Sequence, residues 1–192
     1  MGSVLKPIVF SKAIDKKIFS PDAHIEIPRR LELGNTIITD PKIYEKLTPK
    51  EIVAYSSQVG ASKIALKLGY EDLKNNYYSF GFTKPISINF PSAAFGLMNA
   101  KETVSDRELA SLGYGYGLKV SPFQLTAAYS TFANNGIRKE FKLLMNDEVT
   151  SQRVISESSA RHTLEALQKV VKIGTGKKAD IIGFTEGGKT GT

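Results

Sequence analysis

The segment Gly2-Ser3-Val4-Leu5-Lys6-Pro7, residues 2–7, sets a serine and a lysine three positions apart at a predicted helix start. Apolar residues follow it, and proline is tolerated in a first turn, so the pattern predicts a helix over residues 4–16. The hydroxyl of Ser3 and the amine of Lys6 would then lie on one face, a turn apart. A lysine whose pKa is lowered by burial among cations can remove a serine proton, so the pair predicts an activated nucleophile. A capping serine beside an exposed lysine is the alternative.

A second group, Ser56-Ser57-Gln58, lies between two predicted helices. The first helix begins at the capping box over residues 48–51, and the second ends at Gly69, a residue suited to a left-handed C-terminal cap. A serine at this junction can point into a cleft and relay a proton. A turn in which the serines simply bond the backbone is the alternative.

A third group, Lys189-Thr190-Gly191-Thr192, follows two further glycines and is predicted to be extended. Glycines allow a substrate backbone to approach closely, and the cation and hydroxyl of Lys189 and Thr190 could hold a carboxylate. The alternative is a plain edge strand guarded by a charged residue.

Residues 183–190 also fit the phosphate-binding pattern GxxxxGK[ST]. That loop must follow a strand and open a helix. Only two residues remain after Thr190, and no acidic strand follows for magnesium, so nucleotide binding is kept as a rival hypothesis.

The rest of the chain predicts a mostly helical single domain. Residues 19–40 are expected to be irregular with a small hairpin, and residues 82–104 to form a loop. Further helices are predicted at residues 71–80, 105–112 and 122–133, with a last helix capped by Ser156. Residues 179–184 and 188–192 have the composition of strands.

Composition excludes several kinds of site. The 192 residues include no cysteine, so the chain can form neither a disulfide nor a thiolate metal site. The two histidines, His24 and His162, lie far apart, and we predict no metal and no cofactor. The net charge of +7 comes from scattered lysines and arginines without interleaved aromatic residues, so we expect no nucleic-acid partner. No apolar run approaches the roughly 18 residues of a membrane-spanning helix.

The order SxxK, SxN and KTG is the signature of the penicillin-recognising serine enzymes, and here it runs Ser3 to Lys6, Ser56 to Gln58 and Lys189 to Gly191. Residues 113–136 (GYGYGLKVSPFQLTAAYSTFANNG) and 174–179 add to the match. The whole chain resembles class B penicillin-binding proteins, especially the FtsI-like division transpeptidases. This implies an α-rich α/β fold, the penicillin-binding protein and β-lactamase fold, with mostly the helical subdomain and an incomplete antiparallel sheet.

The resemblance also implies roles for individual residues. Ser3 would be the nucleophile, Lys6 its base, and Ser56 the group that passes a proton to the leaving amine. Lys189 and Thr190 would bind the substrate carboxylate with Gly191 beside them, and backbone N–H groups of Ser3 and Thr192 would form the oxyanion hole. The substrates would be peptidoglycan stem peptides, with β-lactams as inhibitors.

Two departures from the family qualify this implication. Gln58 stands where the family usually has asparagine, one methylene shorter. Residues 1–192 also begin just before the first motif and end just after the third, so we expect a truncated transpeptidase domain whose parent is membrane-anchored, faces the periplasm and works with division or cell-wall proteins. A non-catalytic interaction or sensor module and a β-lactamase are the further alternatives.

Overall fold

The computed structural model describes residues 2–83, 85, 96–98, 101–142, 144, 146 and 148–191. Seven α-helices fall within these residues, and they make the described part of the chain helix-rich. The helices are α1 Lys6–Asp15, α2 Pro49–Tyr55, α3 Gln58–Leu68, α4 Tyr70–Ser79, α5 Asp106–Gly113, α6 Pro122–Ala133 and α7 Glu157–Lys172, with 3-10 turns at Gly2–Leu5 and Lys177–Ala179.

Helix α1 is the centre of the core. Its apolar residues point in every direction, and Ile8, Val9 and Phe10 are all at most 1% exposed. A helix that is apolar all round must be enclosed by others, and α1 packs against α2, α3, α4 and α7. The predicted helix over residues 4–16 is confirmed, except that its first turn, Gly2–Leu5, is a 3-10 turn that begins with a positive φ at Gly2. Ser3 therefore lies on a tighter turn than Lys6.

The junction of α2 and α3 was predicted correctly. The capping box forms in both directions, since Glu51 N–H donates to Thr48 Oγ1 at 3.2 Å and Thr48 N–H donates to Glu51 Oε2 at 2.8 Å. Helix α2 ends at Ser56, which adopts a left-handed conformation with φ +60°. Ser57 then caps α3 by accepting a hydrogen bond from Gly60 N–H at 2.8 Å.

Four separate two-stranded antiparallel sheets accompany the helices in the described residues. The hairpin expected within residues 19–40 is confirmed as β2 Leu31–Leu33 with β3 Thr36–Ile38, turned at Gly34 with φ +59°. The remaining pairs are β1 Ile25–Glu26 with β4 Lys46–Leu47, β5 Leu97–Met98 with β6 Leu118–Lys119, and β7 Ile137–Lys139 with β8 Ser151–Arg153. A helix-rich fold with a deficient antiparallel sheet, as the resemblance implies, is what these residues form.

Two predicted segments differ from the structure. Residues 179–184 were predicted to be strand-like, which is wrong, because a 3-10 turn occupies Lys177–Ala179 and Ile182 is 100% exposed. Residues 188–191 also pair with no strand in the described part of the chain. Strand composition gives a strand only where a neighbouring edge takes up its hydrogen bonds, and here Gly188 N–H bonds Leu167 O of α7 instead. The loop predicted at residues 82–104 contains the short β5, and residues 84, 86–95, 99 and 100 lie outside the described part.

Candidate active site

The Lys6 amine is buried and reaches across to the α2–α3 junction. The residue is 1% exposed. Its Nζ donates to the backbone oxygen of Ser56 at 2.5 Å and lies 3.1 Å from Ser56 Oγ. The first and second sequence groups therefore meet, although they lie 50 positions apart.

Lys189 brings the third group to the same hydroxyl. Its Nζ lies 3.0 Å from Ser56 Oγ and 3.3 Å from Thr190 Oγ1. A serine oxygen has two lone pairs, so it can accept from both amines while its own proton stays available to a third group. The three groups predicted from the sequence thus converge on Ser56, as a single cleft requires.

Ser3 is held on the turn that leads into α1. Gly2 N–H donates to Gly115 O at 3.0 Å, and Tyr129 donates its hydroxyl proton to Val4 O at 2.8 Å, so the backbone is fixed on both sides of Ser3. Ser3 is half-buried, and its hydroxyl has no hydrogen-bond partner within the described residues. Lys6, one turn later, is bonded to Ser56 rather than to Ser3.

The electrostatics of the two lysines favour loss of a proton. Burial, with the charge of Lys189 as a second cause, lowers the pKa of Lys6 from 10.5 to about 7. Burial also lowers the pKa of Lys189 to about 8. An amine that titrates near neutral pH can act as a base there, whereas an ordinary lysine cannot.

The other predicted site residues lie at the rim. Gln58 is exposed at the first position of α3, and its side chain forms no hydrogen bond with the described residues. Thr190 Oγ1 lies 2.7 Å from Thr175 Oγ1. A Cβ at Gly191 would stand 3.3 Å from Val4 Cγ1, so this segment lies close to the Gly2–Leu5 turn that carries the predicted nucleophile Ser3 (the nucleophile turn). Thr192, predicted for the oxyanion hole, lies outside the described residues.

An open cleft of about 420 Å³ lies beside the nucleophile turn. It is lined by Val4, Leu125, Thr126, Tyr129, Ser130 and Lys189. Because Lys189 reaches both this cleft and Ser56, a ligand that entered the cleft would meet the cation next to the loop serine.

Three residues that the sequence did not single out take part in the arrangement. Asp40 binds the start of α3, Thr175 contacts Thr190, and Tyr129 holds the nucleophile turn. Thr175 and Tyr129 fall within the stretches that carried the family resemblance, which was a usable signal. No signal in the sequence pointed to Asp40, since it lies in a segment predicted to be irregular.

The rival phosphate-binding loop is not formed. Residues 183–188 have no regular structure and follow no strand, and the Lys189 amine is engaged at Ser56. Within the residues that the structure describes, no cluster of three potential metal ligands occurs. None of the described helices has the length and hydropathy to cross a bilayer.

Comparisons with known proteins show the family of the chain. A family model described as the penicillin binding protein transpeptidase domain matches residues 1–192. The chain is 34% identical over 194 residues to the peptidoglycan D,D-transpeptidase FtsI of Escherichia coli strain K12, covering 100% of the chain and 33% of that protein. It is 30% identical over 200 residues to FtsI of Buchnera aphidicola subsp. Baizongia pistaciae, covering 34% of that protein. The chain thus spans about a third of the length of these relatives.

Solved structures confirm the fold. The transpeptidase domain of penicillin-binding protein 3 from Burkholderia pseudomallei superimposes with a TM-score of 0.93 at 33% identity, over 99% of this chain and 59% of that one. A structure described as a peptidoglycan glycosyltransferase from Burkholderia ambifaria gives a TM-score of 0.93 at 33% identity, over 100% of this chain and 62% of that one.

Proposed function

Because the chain belongs to the penicillin-binding protein transpeptidase family, we propose that it carries the acylation centre of a serine D,D-transpeptidase that cross-links peptidoglycan. The observation that carries this proposal is the meeting of Lys6 and Lys189 on Ser56 Oγ, at 3.1 and 3.0 Å. Two basic groups share one hydroxyl, and one of them, Lys6, lies a turn along the chain from Ser3, so they can serve as a proton-transfer system for this proposed nucleophile.

In the proposed acylation step, Ser3 Oγ attacks the carbonyl carbon of the penultimate D-alanine of a stem peptide. Neutral Lys6 takes the Ser3 proton. An ester bond forms, the amide bond to the terminal D-alanine breaks, and the leaving amine receives its proton through Ser56. An amine of a second stem peptide then attacks the ester, which restores Ser3 and forms the cross-link.

Ser56 suits the relay because of what surrounds its hydroxyl. With Lys6 neutral, its two N–H bonds can donate to Ser56 O and Ser56 Oγ as they do in the structure, so its lone pair stays free for the Ser3 proton, while Lys189, still charged, also donates to Ser56 Oγ. Ser56 Oγ, which accepts from both amines, keeps its own proton for the leaving amine, and the Lys6 ammonium formed from Ser3 then returns a proton to Ser56. The left-handed backbone at Ser56 turns the side chain out of the helix axis and toward both amines.

Substrate binding falls to the third group. We assign the substrate carboxylate to the Lys189 ammonium and the Thr190 hydroxyl, with Gly191 allowing close approach of the substrate backbone. The backbone N–H groups of Ser3 and Thr192 are the proposed oxyanion hole, and Gln58 is the proposed amide contact of the SxN group. The rim position of Gln58 supports a contact with substrate rather than with the protein.

In the cell, the proposed substrates are peptidoglycan stem peptides, with β-lactams as acylating inhibitors. The chain is part of a longer, membrane-anchored protein that works at the periplasmic face with division or cell-wall synthesis proteins. The similarity to FtsI, which extends over the whole chain, supports the division role.

Labelling with a fluorescent penicillin tests the proposal. We expect a long-lived adduct on the full chain that disappears in Ser3→Ala and persists in Ser11→Ala, which removes a serine two turns along on the same stretch of chain. An adduct lost within seconds would favour a β-lactamase. No adduct on a chain with native circular dichroism would favour a non-catalytic module, and binding of a titrated nucleotide would favour the phosphate-loop hypothesis. Each of these results contradicts the transpeptidase.

A further inference from the structure

Asp40 forms an unusual set of contacts close to the loop serine. It follows β3, and its Oδ2 accepts a hydrogen bond from Ser57 Oγ at 2.5 Å. Its Oδ1 accepts from the backbone N–H groups of Gln58 at 2.5 Å and of Val59 at 3.3 Å. One carboxylate therefore holds three successive residues immediately after Ser56.

These contacts make Asp40 a second cap of α3. The hydroxyl oxygen of Ser57 already accepts from Gly60 N–H at 2.8 Å, so its own proton is free to point to Asp40. The N–H groups of Gln58 and Val59 begin the helix and have no partner inside it. A negative charge at this end of a helix is favourable. Asp40 thus fixes the start of α3 from its position in the loop after β3.

The contacts of Asp40 restrain Ser56 through the backbone. Ser56 has φ +60°, a conformation that costs free energy for any residue with a Cβ. From one side it is held by Ser56 N–H to Val53 O at 3.3 Å and Ser57 N–H to Ile52 O at 3.0 Å. Asp40 supplies the restraint from the other side, so that the Ser56 hydroxyl stays aimed at the two lysines.

Asp40 also acts on Lys6 through its negative charge. The charged groups that act on Lys6 are Lys189, from the segment at residues 189–191, and Asp40, from the loop after β3. Lys189 disfavours the ammonium form of Lys6, and Asp40 favours it. The carboxylate therefore opposes the repulsion between the two amines.

We propose that Asp40 is a positioning residue for the proton relay, which fixes Ser56 through the start of α3 and sets the charge balance of the two lysines. The inference rests on the proposed function. It separates Asp40 from an ordinary helix cap, because a cap alone would affect stability without affecting Lys6.

The test compares Asp40→Asn, Asp40→Ala and Ser105→Ala in the full chain. Ser105 caps α5 in a capping box and forms no hydrogen bond with the site residues, so Ser105→Ala shows the effect of a lost helix cap alone, about 1 kcal/mol. Asp40→Asn keeps the shape and an acceptor oxygen but loses the charge. Two quantities are measured for each variant: the rate of labelling by fluorescent penicillin and the titration midpoint of Lys6 by NMR of 13Cε-labelled lysine.

We expect Asp40→Ala to label about tenfold more slowly or worse, because displacement of a reacting group by about 1 Å has effects of this size or larger. Asp40→Asn should lose less of the rate, and in both variants the Lys6 midpoint should move to lower pH. Ser105→Ala should change neither quantity. The inference would be overturned if Asp40→Ala had the labelling rate and the Lys6 midpoint of the wild type, or if Ser105→Ala lost as much of the labelling rate as Asp40→Ala. Absence of labelling in the wild type would instead refute the proposed function, and the Lys6 midpoint would still decide the role of Asp40.

Discussion

Lys6 and Lys189 share one hydrogen-bond partner: both amines lie within 3.1 Å of Ser56 Oγ. Two ammonium groups this close to one oxygen would repel each other in a partly dry site, so burial and repulsion favour a neutral Lys6 beside a charged Lys189. This division of charge is the one that a base and a carboxylate-binding cation need. The consequences for pH, stability and substrate binding can each be measured.

The rate of acylation should first rise and then fall with increasing pH, so that its pH profile has an acid and an alkaline limb. It should rise with pH as Lys6 loses its proton near pH 7, and fall as Lys189 loses its charge near pH 8. The measurement is the second-order rate of penicillin acylation between pH 5 and pH 10. In Lys189→Arg the alkaline limb should move to higher pH, since arginine stays charged. A rate independent of pH across this range would contradict the assignment of both lysines.

Lys6→Met should stabilise the chain at neutral pH while it abolishes acylation. The unfolded chain binds a proton on Lys6 up to about pH 10.5, whereas the folded chain releases it near 7, so the free energy of unfolding of the wild type rises with pH across this window. Methionine carries no proton, so its advantage should be several kcal/mol at pH 7 or below, at about 1.4 kcal/mol per pKa unit, and should shrink toward pH 10. Urea denaturation at a series of pH values measures it. A constant difference across pH would show that Lys6 is not perturbed.

Thr175→Val should weaken ligand binding more than it slows the chemical step. The Thr175 hydroxyl lies 2.7 Å from that of Thr190, and Thr175 N–H is anchored on Ala54 O at 3.1 Å. Loss of one hydrogen bond, about 1 kcal/mol, should raise the half-saturating penicillin concentration about fivefold, with the limiting acylation rate nearly unchanged. Thr175→Ser should behave as the wild type, and Thr126→Val, which removes a threonine hydroxyl bonded to Pro122 O and not to Thr190, serves as the control. An equal effect of Thr126→Val would argue against a specific role.

Gly115→Ala should disrupt the nucleophile turn. A Cβ at Gly115 would lie 1.8 Å from the backbone oxygen of Gly2, and the residue has φ +99°. Gly183 is a matched control, since its φ is +89° but nothing lies within 4 Å of its Cβ position. Gly183→Ala should cost only about 1 kcal/mol of backbone strain, whereas Gly115→Ala should cost more and should also reduce labelling at Ser3. Thermal denaturation and labelling measure the two effects, and equal behaviour of the variants would refute the close packing.

Local chemistry made most of the helices predictable. The capping boxes of α2 and α6 lie within four residues, so their starts can be read without knowledge of the rest of the fold. Residues 179–184 were mispredicted for the opposite reason. Their isoleucines and phenylalanine favour a strand, but a strand depends on a neighbouring edge, and the local sequence carries no information about that edge.

The site was predictable where a family motif marked it, and unpredictable where contacts are long-range. Spacing and resemblance predicted the site residues Ser3, Lys6, Ser56 and Lys189. The structure brings the side chains of the last three together. The contacts of Asp40 were not foreseen, because they join the loop after β3 to a helix start 17 residues later. The left-handed backbone of Ser56 was also missed, because serine is not a residue that typically marks this conformation.

Ser3 is the proposed nucleophile of a transpeptidase centre, and mass spectrometry of the chain after exposure to a penicillin tests this claim. The intact chain should gain the mass of one penicilloyl group, and peptide mapping should place that group on Ser3. An adduct on another residue, or a natively folded chain that gains no mass, would contradict the claim.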